Sequence, residues 1–274
     1  MLRNANLDPR LYQISALTLL LAYGVFVLHF DVTLIRAAAI VATAIATQSA
    51  CSLLWRVRFD PRSAAISGLS LSLLLRSNAL ALLLLGAMIA VASKFVIRWR
   101  GKHIFNPTNG AIVALMLLTG RVWVSPAQWG SLAFFAFLIT CLGGLVVNRA
   151  ARSDVTYAFI IAWSVVVIGR SLALGEPLTI PLHRLESGGL LLFTFFMISD
   201  PKTTPDSRAG RMLFAAIVAL GAGYIQFKLF HTNAILWSLA AGALLVPLID
   251  WLLPAKRYEW RNPACEVLSQ PQSS

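Results

Sequence analysis

Ser93-Lys94-Phe95-Val96-Ile97-Arg98-Trp99-Arg100-Gly101-Lys102-His103-Ile104-Phe105-Asn106-Pro107-Thr108-Asn109-Gly110 is the stretch that decides the fold. It runs from a basic cluster (Lys94, Arg98, Arg100, Lys102) into an Asn-Pro break, and then into an apolar run of only about half a membrane span. A helix that begins at such a break inside a bilayer leaves backbone amides without partners. Hydrocarbon does not tolerate them, so the break must be buried in protein or face a ligand or cavity. The expectation is a set of free peptide groups at Asn106–Gly110.

Composition agrees with a bilayer setting. The chain of 274 residues is 58% hydrophobic and 12% charged, with a mean hydropathy of +0.75. A soluble domain of this length needs far more charge, so the class is an all-α polytopic membrane protein. Met1 to Arg10 is polar, and the apolar run after it has no small-residue cleavage site, so no cleaved signal is expected. The net charge of +12 sits in short loops between apolar segments. That pattern argues for a lipid bilayer and against nucleic acid.

Apolar segments fall at 12–30, 33–55, 64–76, 78–97, 107–120, 127–147, 155–174, 185–199, 208–229 and 233–253. If each crosses once, 17 of the 23 Lys and Arg residues lie on the N-terminal side and 6 on the other. This bias predicts about ten transmembrane helices with both termini cytoplasmic, in a bacterial inner membrane. The domain reading is a cytoplasmic N-terminus (1–11), one transmembrane domain (12–253) and a partly disordered cytoplasmic tail (254–274).

A weak repeat divides that domain. Ser67-Gly68 is read as opening the short third segment and Ser187-Gly188 the short eighth; Thr108-Asn109 begins the fifth and Thr232-Asn233 the tenth. The two spacings are 41 and 45 residues. Matching elements lie five segments apart. Five is odd, so halves at 12–120 and 127–253 would be inverted five-helix repeats with short or broken helices meeting near the midplane.

Other groups carry weaker signals. Asp200-Pro201-Lys202 should stop a helix, because proline disfavours α conformation in the residue before it. Asp206 and Ser207 can cap the next helix. Asp200, Lys202 and Arg211 are candidates for holding a cofactor or a partner subunit. Asp250, near the end of the last segment, is expected to pair with an arginine of a neighbouring loop. The three cysteines (Cys51, Cys141, Cys265) show no metal or disulfide spacing, and none of the four histidines sits in mid-span. Tryptophans such as Trp55, Trp99, Trp123, Trp129 and Trp251 fit an interfacial belt. There is no nucleophile triad, HExxH or P-loop.

Gly101-Lys102-His103-Ile104-Phe105-Asn106-Pro107-Thr108, Phe196-Met197-Ile198-Ser199-Asp200-Pro201-Lys202-Thr203, Gly210-Arg211 and Pro247-Leu248-Ile249-Asp250 occur in this order. With these motifs the chain resembles the RnfD/NqrB family over about residues 12 to 260. That family comprises the ten-helix flavin-bearing membrane subunits of the Rnf and sodium-translocating NADH:quinone reductase complexes. It looks most like the short, UnbU-like branch found beside enediyne-type biosynthetic genes.

The resemblance implies a subunit of a membrane electron-transport system whose partners are other membrane subunits of a redox complex. It places Asn106, Pro107, Thr108 and Asn109 near an isoalloxazine or its ribityl chain. The full set of candidate cofactor residues is these four with Ser187, Asp200, Lys202 and Arg211. Larger members carry covalent FMN on a threonine in an Asp-Gly-x-Ser-Gly-Ala-Thr motif. Here the corresponding segment is only Arg121 to Gln128, and no Ser-Gly-Ala-Thr occurs. The cofactor expected is therefore non-covalent FMN or riboflavin, or a quinone. Two other readings stand beside this one. The first is a permease using a midplane cavity lined by Asn106, Asn109 and Ser187. The second is a cofactor-free scaffold subunit.

Overall fold

A computed structural model describes residues 8–125 and 153–258. The segment at 127–147, with Trp129 and Cys141, and the tail from 259 lie outside the described residues.

Three helices begin with the same two-residue device. α1 (Pro9–Phe26), α3 (Pro61–Leu74) and α5 (Pro107–Thr119) each follow Asp or Asn, and each has proline at its first position. The acidic or amide oxygen accepts a first-turn amide hydrogen, and the proline has no such hydrogen to leave unpaired. Asp8 accepts from Arg10, Asp60 from Arg62, and Asn106 from Asn109. The caps of α1 and α3 are also cross-linked. Arg10 pairs with both Asp8 and Asp60, and Arg62 Nη1 lies 2.5 Å from Asp8 Oδ2. Burial works against the charged form of Asp8, but hydrogen bonds from Arg10 and Arg62 outweigh it and hold its pKa below the usual value.

α2 (Leu34–Leu54) packs on α3 and on α4 (Leu80–Val96), and α4 packs on α5. Ser67-Gly68 does not open α3; it lies in mid-helix. A Cβ on Gly68 would come 2.9 Å from Val41 Cα, so the glycine is there to let α2 and α3 close on each other. Between α4 and α5 a hairpin pairs Arg98–Trp99 with Lys102–His103. Arg100 and Gly101 form its turn at φ 48° and 81°, the conformation a two-residue hairpin requires. At the opposite end, Leu75–Arg76 pairs antiparallel with Trp123–Val124, tying the end of α3 to the loop after α5. The Arg76 guanidinium donates to the carbonyls of Ser72, Leu73 and Leu75, so a buried cation finishes the short helix where its dipole is negative.

The second part holds α6 (Ser153–Leu174), α7 (Thr179–Leu185), α8 (Gly188–Leu192), α9 (Arg208–Phe227), α10 (Ala234–Ala243) and α11 (Val246–Leu252). α6 packs on α9, α9 on α10, and α10 on α5. The segment expected as one short helix at 185–199 is more broken than its composition suggests. α8 passes into a π turn at Phe193–Met197, closed by Ile198 N–H donating to Phe193 O at 3.0 Å. The last segment bends by 50° between α10 and α11.

By length and composition α2, α6 and α9 can each cross a membrane, and the bent α10–α11 pair makes a fourth. α1, α4, α5 and α8 with its π turn are shorter and also apolar. Leu53, Leu117, Leu118, Ile161 and Leu220 stand exposed along these helices, as hydrocarbon-facing side chains do. The chain is an all-α, multi-pass membrane protein.

Candidate functional site: two cavities on either side of a π turn

α8 and the π turn that continues it have a cavity at each end. The inner one, on the face carrying the basic loops, measures about 80 Å³. Its walls include Lys94, His103, Asn106, Thr108, Asp200 and Lys202. Asn106 holds this corner together. Its Oδ1 caps α5, and its Nδ2 donates to Met197 O at 3.3 Å and to Asp200 Oδ2 at 3.2 Å. Asp200 also receives the Lys202 amide at 3.0 Å, which sets the turn predicted at Asp200-Pro201. Lys94 is buried at the end of α4, and its ammonium donates to Ser63 O at 2.8 Å and Ser63 Oγ at 2.9 Å. Burial and the cations of Arg98, Lys94 and Lys202 push the His103 imidazole down to about 4, so it is neutral at pH 7.

The row of free peptide groups expected at the Asn-Pro break is not what forms. Proline supplies no N–H at the first position, Asn106 Oδ1 takes the Asn109 amide, and Asn106 O takes that of Gly110 at 2.8 Å. The break is a capped helix start. Among the described residues only the Asn106 and Thr108 amides of this stretch are left without a hydrogen-bond partner.

The outer cavity is much larger, about 520 Å³, and mainly apolar. Trp163, Leu190, Phe193 and Met197 form its apolar wall; Ser187, Gln226, Asn233 and Arg184 supply polar edges. Asn233 starts α10 in the left-handed conformation at φ 58°. The π turn is the partition between the two spaces. Phe195 and Phe196 line the inner cavity, while Phe193 and Met197 line the outer one. Asn109, almost fully buried, bridges α5 to α10 by donating from Nδ2 to Leu236 O at 3.2 Å, and Leu236 lines the outer cavity. Asn109 Oδ1 is buried and has no donor among the described residues.

Of the residues singled out from sequence, Asn106, Pro107, Thr108, Asp200 and Lys202 meet around the inner cavity, with Asn109 behind them. Ser187 is not part of that group. It precedes α8 at the other end and lines the outer cavity, because the Ser-Gly pairs of the two halves do not occupy equivalent places. Arg211 lines neither cavity. It grips Asp154 at the start of α6, with Nη2 to Oδ2 at 2.5 Å and Nε to Oδ1 at 2.9 Å, so it joins two helices. Asp250 is ion-paired as expected, but with Lys102 Nζ at 2.7 Å in place of an arginine. The Lys102 ammonium also lies 3.1 Å from Asp206 Oδ1, close enough for ion pairing though not aligned for a hydrogen bond. Ser207 caps α9 through Gly210 N–H, as read from sequence. The apolar wall of the outer cavity has no sequence signature; Trp163 and Phe193 look like any other core residues in an apolar run. No group of histidine, cysteine and acidic residues able to hold a metal occurs among the described residues.

Residues 117–259 match the model of the NQR2, RnfD, RnfE family. The chain is 27% identical over 163 residues to the D component of the ion-translocating oxidoreductase complex of Cronobacter sakazakii, an alignment covering 59% of this chain and 45% of that protein. It is 27% identical over 148 residues to the component of the same name from Escherichia coli strain K12, covering 53% of this chain and 39% of the relative. The alignments thus span less than half the length of these relatives. With more than half of its residues inside the family match, this chain belongs to the NQR2, RnfD, RnfE family.

Proposed function

We propose that the chain is a membrane subunit of an Rnf-type ion-translocating electron-transport system, and that it relays electrons through a flavin or quinone held without a covalent bond. The contrast in size between the cavities carries this reading. Pockets for ring-sized ligands run to about 300–1,000 Å³ and are mostly apolar with a few placed polar groups. The outer cavity, at 520 Å³, has both properties. The inner one, at 80 Å³, has room only for water or a small group.

The residues present suit a tricyclic ring. Trp163, Phe193 and Leu190 would flank it, and Ser187, Gln226 and Asn233 would meet its polar edge. Arg184 would take an anionic substituent. A bound flavin supplies one- and two-electron transfer. The chain's own part is to exclude water with the aromatic wall and to fix the ring's hydrogen bonds. The acceptor at Asn109 Oδ1, beside Leu236, is suited to a donor that comes with a ligand.

The packing also supports an inverted-repeat arrangement. α2 on α4 and α4 on α5 in the first half correspond to α6 on α9 and α9 on α10 in the second. The short helices α5 and α10, each preceded by asparagine, meet where the halves join. On this reading the basic face is cytoplasmic, both termini lie there, and the chain sits in a bacterial inner membrane with other subunits of the complex.

The test is an absorbance spectrum of the protein purified in native lipid, before and after acid extraction. A yellow chromophore released by acid is expected. A colourless preparation with neither flavin nor quinone in the extract would refute the relay. A transport role has one observation in its favour: the two cavities lie on either side of the single π turn that continues α8, as at a gate. Solute uptake by liposomes containing cofactor-free protein would decide for it.

A further inference from the structure

A third cavity, about 150 Å³, opens on the basic face between the Arg98–His103 hairpin and α11. Its walls include Trp99, Arg100, Lys102, Asp250, Trp251 and Arg257. We propose that it binds the phosphate headgroup of an anionic phospholipid.

The charges argue for an anion. Both nearby carboxylates, Asp206 and Asp250, are already taken by the Lys102 ammonium. The guanidinium groups of Arg100 and Arg257 have no hydrogen-bond or ion-pair partner among the described residues. They are held together by the hairpin. Arg100 and Gly101 make its tip, and Arg257 packs so tightly on that tip that a Cβ at Gly101 would stand 3.3 Å from Nη1. Guanidinium groups bind phosphate oxygens in pairs, which two free arginines at one mouth can do.

The setting argues for a lipid as the source of that phosphate. At about 150 Å³ the cavity is below the roughly 300–1,000 Å³ of pockets for ring-sized ligands, which suits a phosphodiester better than a flavin or a nucleotide. Trp99 and Trp251, 54% and 70% exposed, flank it as interfacial tryptophans do. Leu248, Trp251 and Leu252 share the exposed face of α11 next to the opening, a surface for acyl chains that a soluble anion would not need. Basic side chains beside a membrane surface attract anionic lipid at roughly a fivefold gain in affinity per charge.

Native mass spectrometry of the detergent-purified chain tests this, with phosphatidylglycerol, phosphatidylcholine and inorganic phosphate as separate probes. One phosphatidylglycerol should bind saturably and at least about tenfold tighter than phosphatidylcholine, with inorganic phosphate neither binding nor competing. The double variant Arg100→Gln/Arg257→Gln should lose the preference; Arg56→Gln/Arg58→Gln, which removes the same charge from an exposed loop, should keep it. Equal loss in both variants, or retention in the first, would overturn the site. Effective competition by inorganic phosphate would overturn the lipid assignment. Tryptophan quenching in the unaltered protein gives a second readout that needs no variant. Brominated phosphatidylglycerol should quench more than brominated phosphatidylcholine, and equal quenching would count against the proposal.

Discussion

The inner and outer cavities share a partition but are built on opposite plans. The inner one is a corner of loop and helix ends, small, crossed by hydrogen bonds that Asn106 donates to Met197 O and the Asp200 carboxylate and that Lys94 donates to Ser63 O. The outer one is wide and walled by Trp163, Phe193 and Leu190, with polar groups only at its edges. The difference separates two tasks. Polar side chains that bond to each other fix the backbone and leave little for a ligand. Aromatic walls with unshared polar edges leave nearly everything.

The strongest test of that division lies in a residue that belongs to neither cavity. Arg211→Ala takes the guanidinium away from the Asp154 carboxylate at a half-buried site and should destabilise the fold by about 3 kcal/mol, read as a lowered Tm in detergent. Flavin content per folded molecule should stay unchanged. A loss of cofactor without a loss of stability would return Arg211 to the site.

Next in size is a pair of variants that sets one cavity against the other. Ala234 lines the outer space and Thr108 the inner. Ala234→Phe should fill the outer cavity and cut retained flavin or quinone at least about tenfold, whereas Thr108→Val should leave it within about twofold. The reverse pattern would exchange the roles of the two cavities.

Asn109→Ala sharpens the boundary between them. It removes one hydrogen bond to Leu236 O and one acceptor that has no donor, so stability should change by no more than about 1 kcal/mol. Cofactor retention should weaken by several fold. If it does not change, Asn109 is a strut alone.

The smallest effect is a matter of pH. The His103 imidazole titrates near 4 in the folded chain and near 6.5 when unfolded. Between those values the unfolded chain holds more protons, so stability is at its full level above pH 6.5 and declines as pH falls toward 4. His103→Gln should flatten that part of a pH–Tm curve.

Much of the frame is readable in the residues. Asn106-Pro107 and Ser207 announce helix starts because capping is local chemistry, and the apolar runs announce the helices between them. Asp200-Pro201 announces its turn for the same reason. What involves distant partners is not readable. Gly68 has the sequence of a boundary and is a point of close helix approach. Arg211 resembles a ligand-binding charge because its partner, Asp154, lies 57 residues away. Ser187 and Asn106 point to one cavity in sequence because both stand at short, interrupted segments; the fold puts them at opposite ends of α8 and its π turn. The π turn has no marker in Phe193-Thr194-Phe195-Phe196-Met197, an apolar run like those of the regular helices.

The exchanged caps of α1 and α3 bear on how the chain is made. Arg10 reaches Asp60 and Arg62 reaches Asp8, partners separated by 50 and 54 residues. While a ribosome is still synthesising α2, the acidic and basic groups at the start of α1 lack half of their partners. α1 therefore waits with its leading end unfastened, and the arrival of Asp60-Pro61-Arg62 with α3, on which it packs, is the step that latches it. A nascent chain stalled before Asp60 has left the ribosome would hold an insertion intermediate that lacks this latch, and one stalled after Arg62 has emerged would have it.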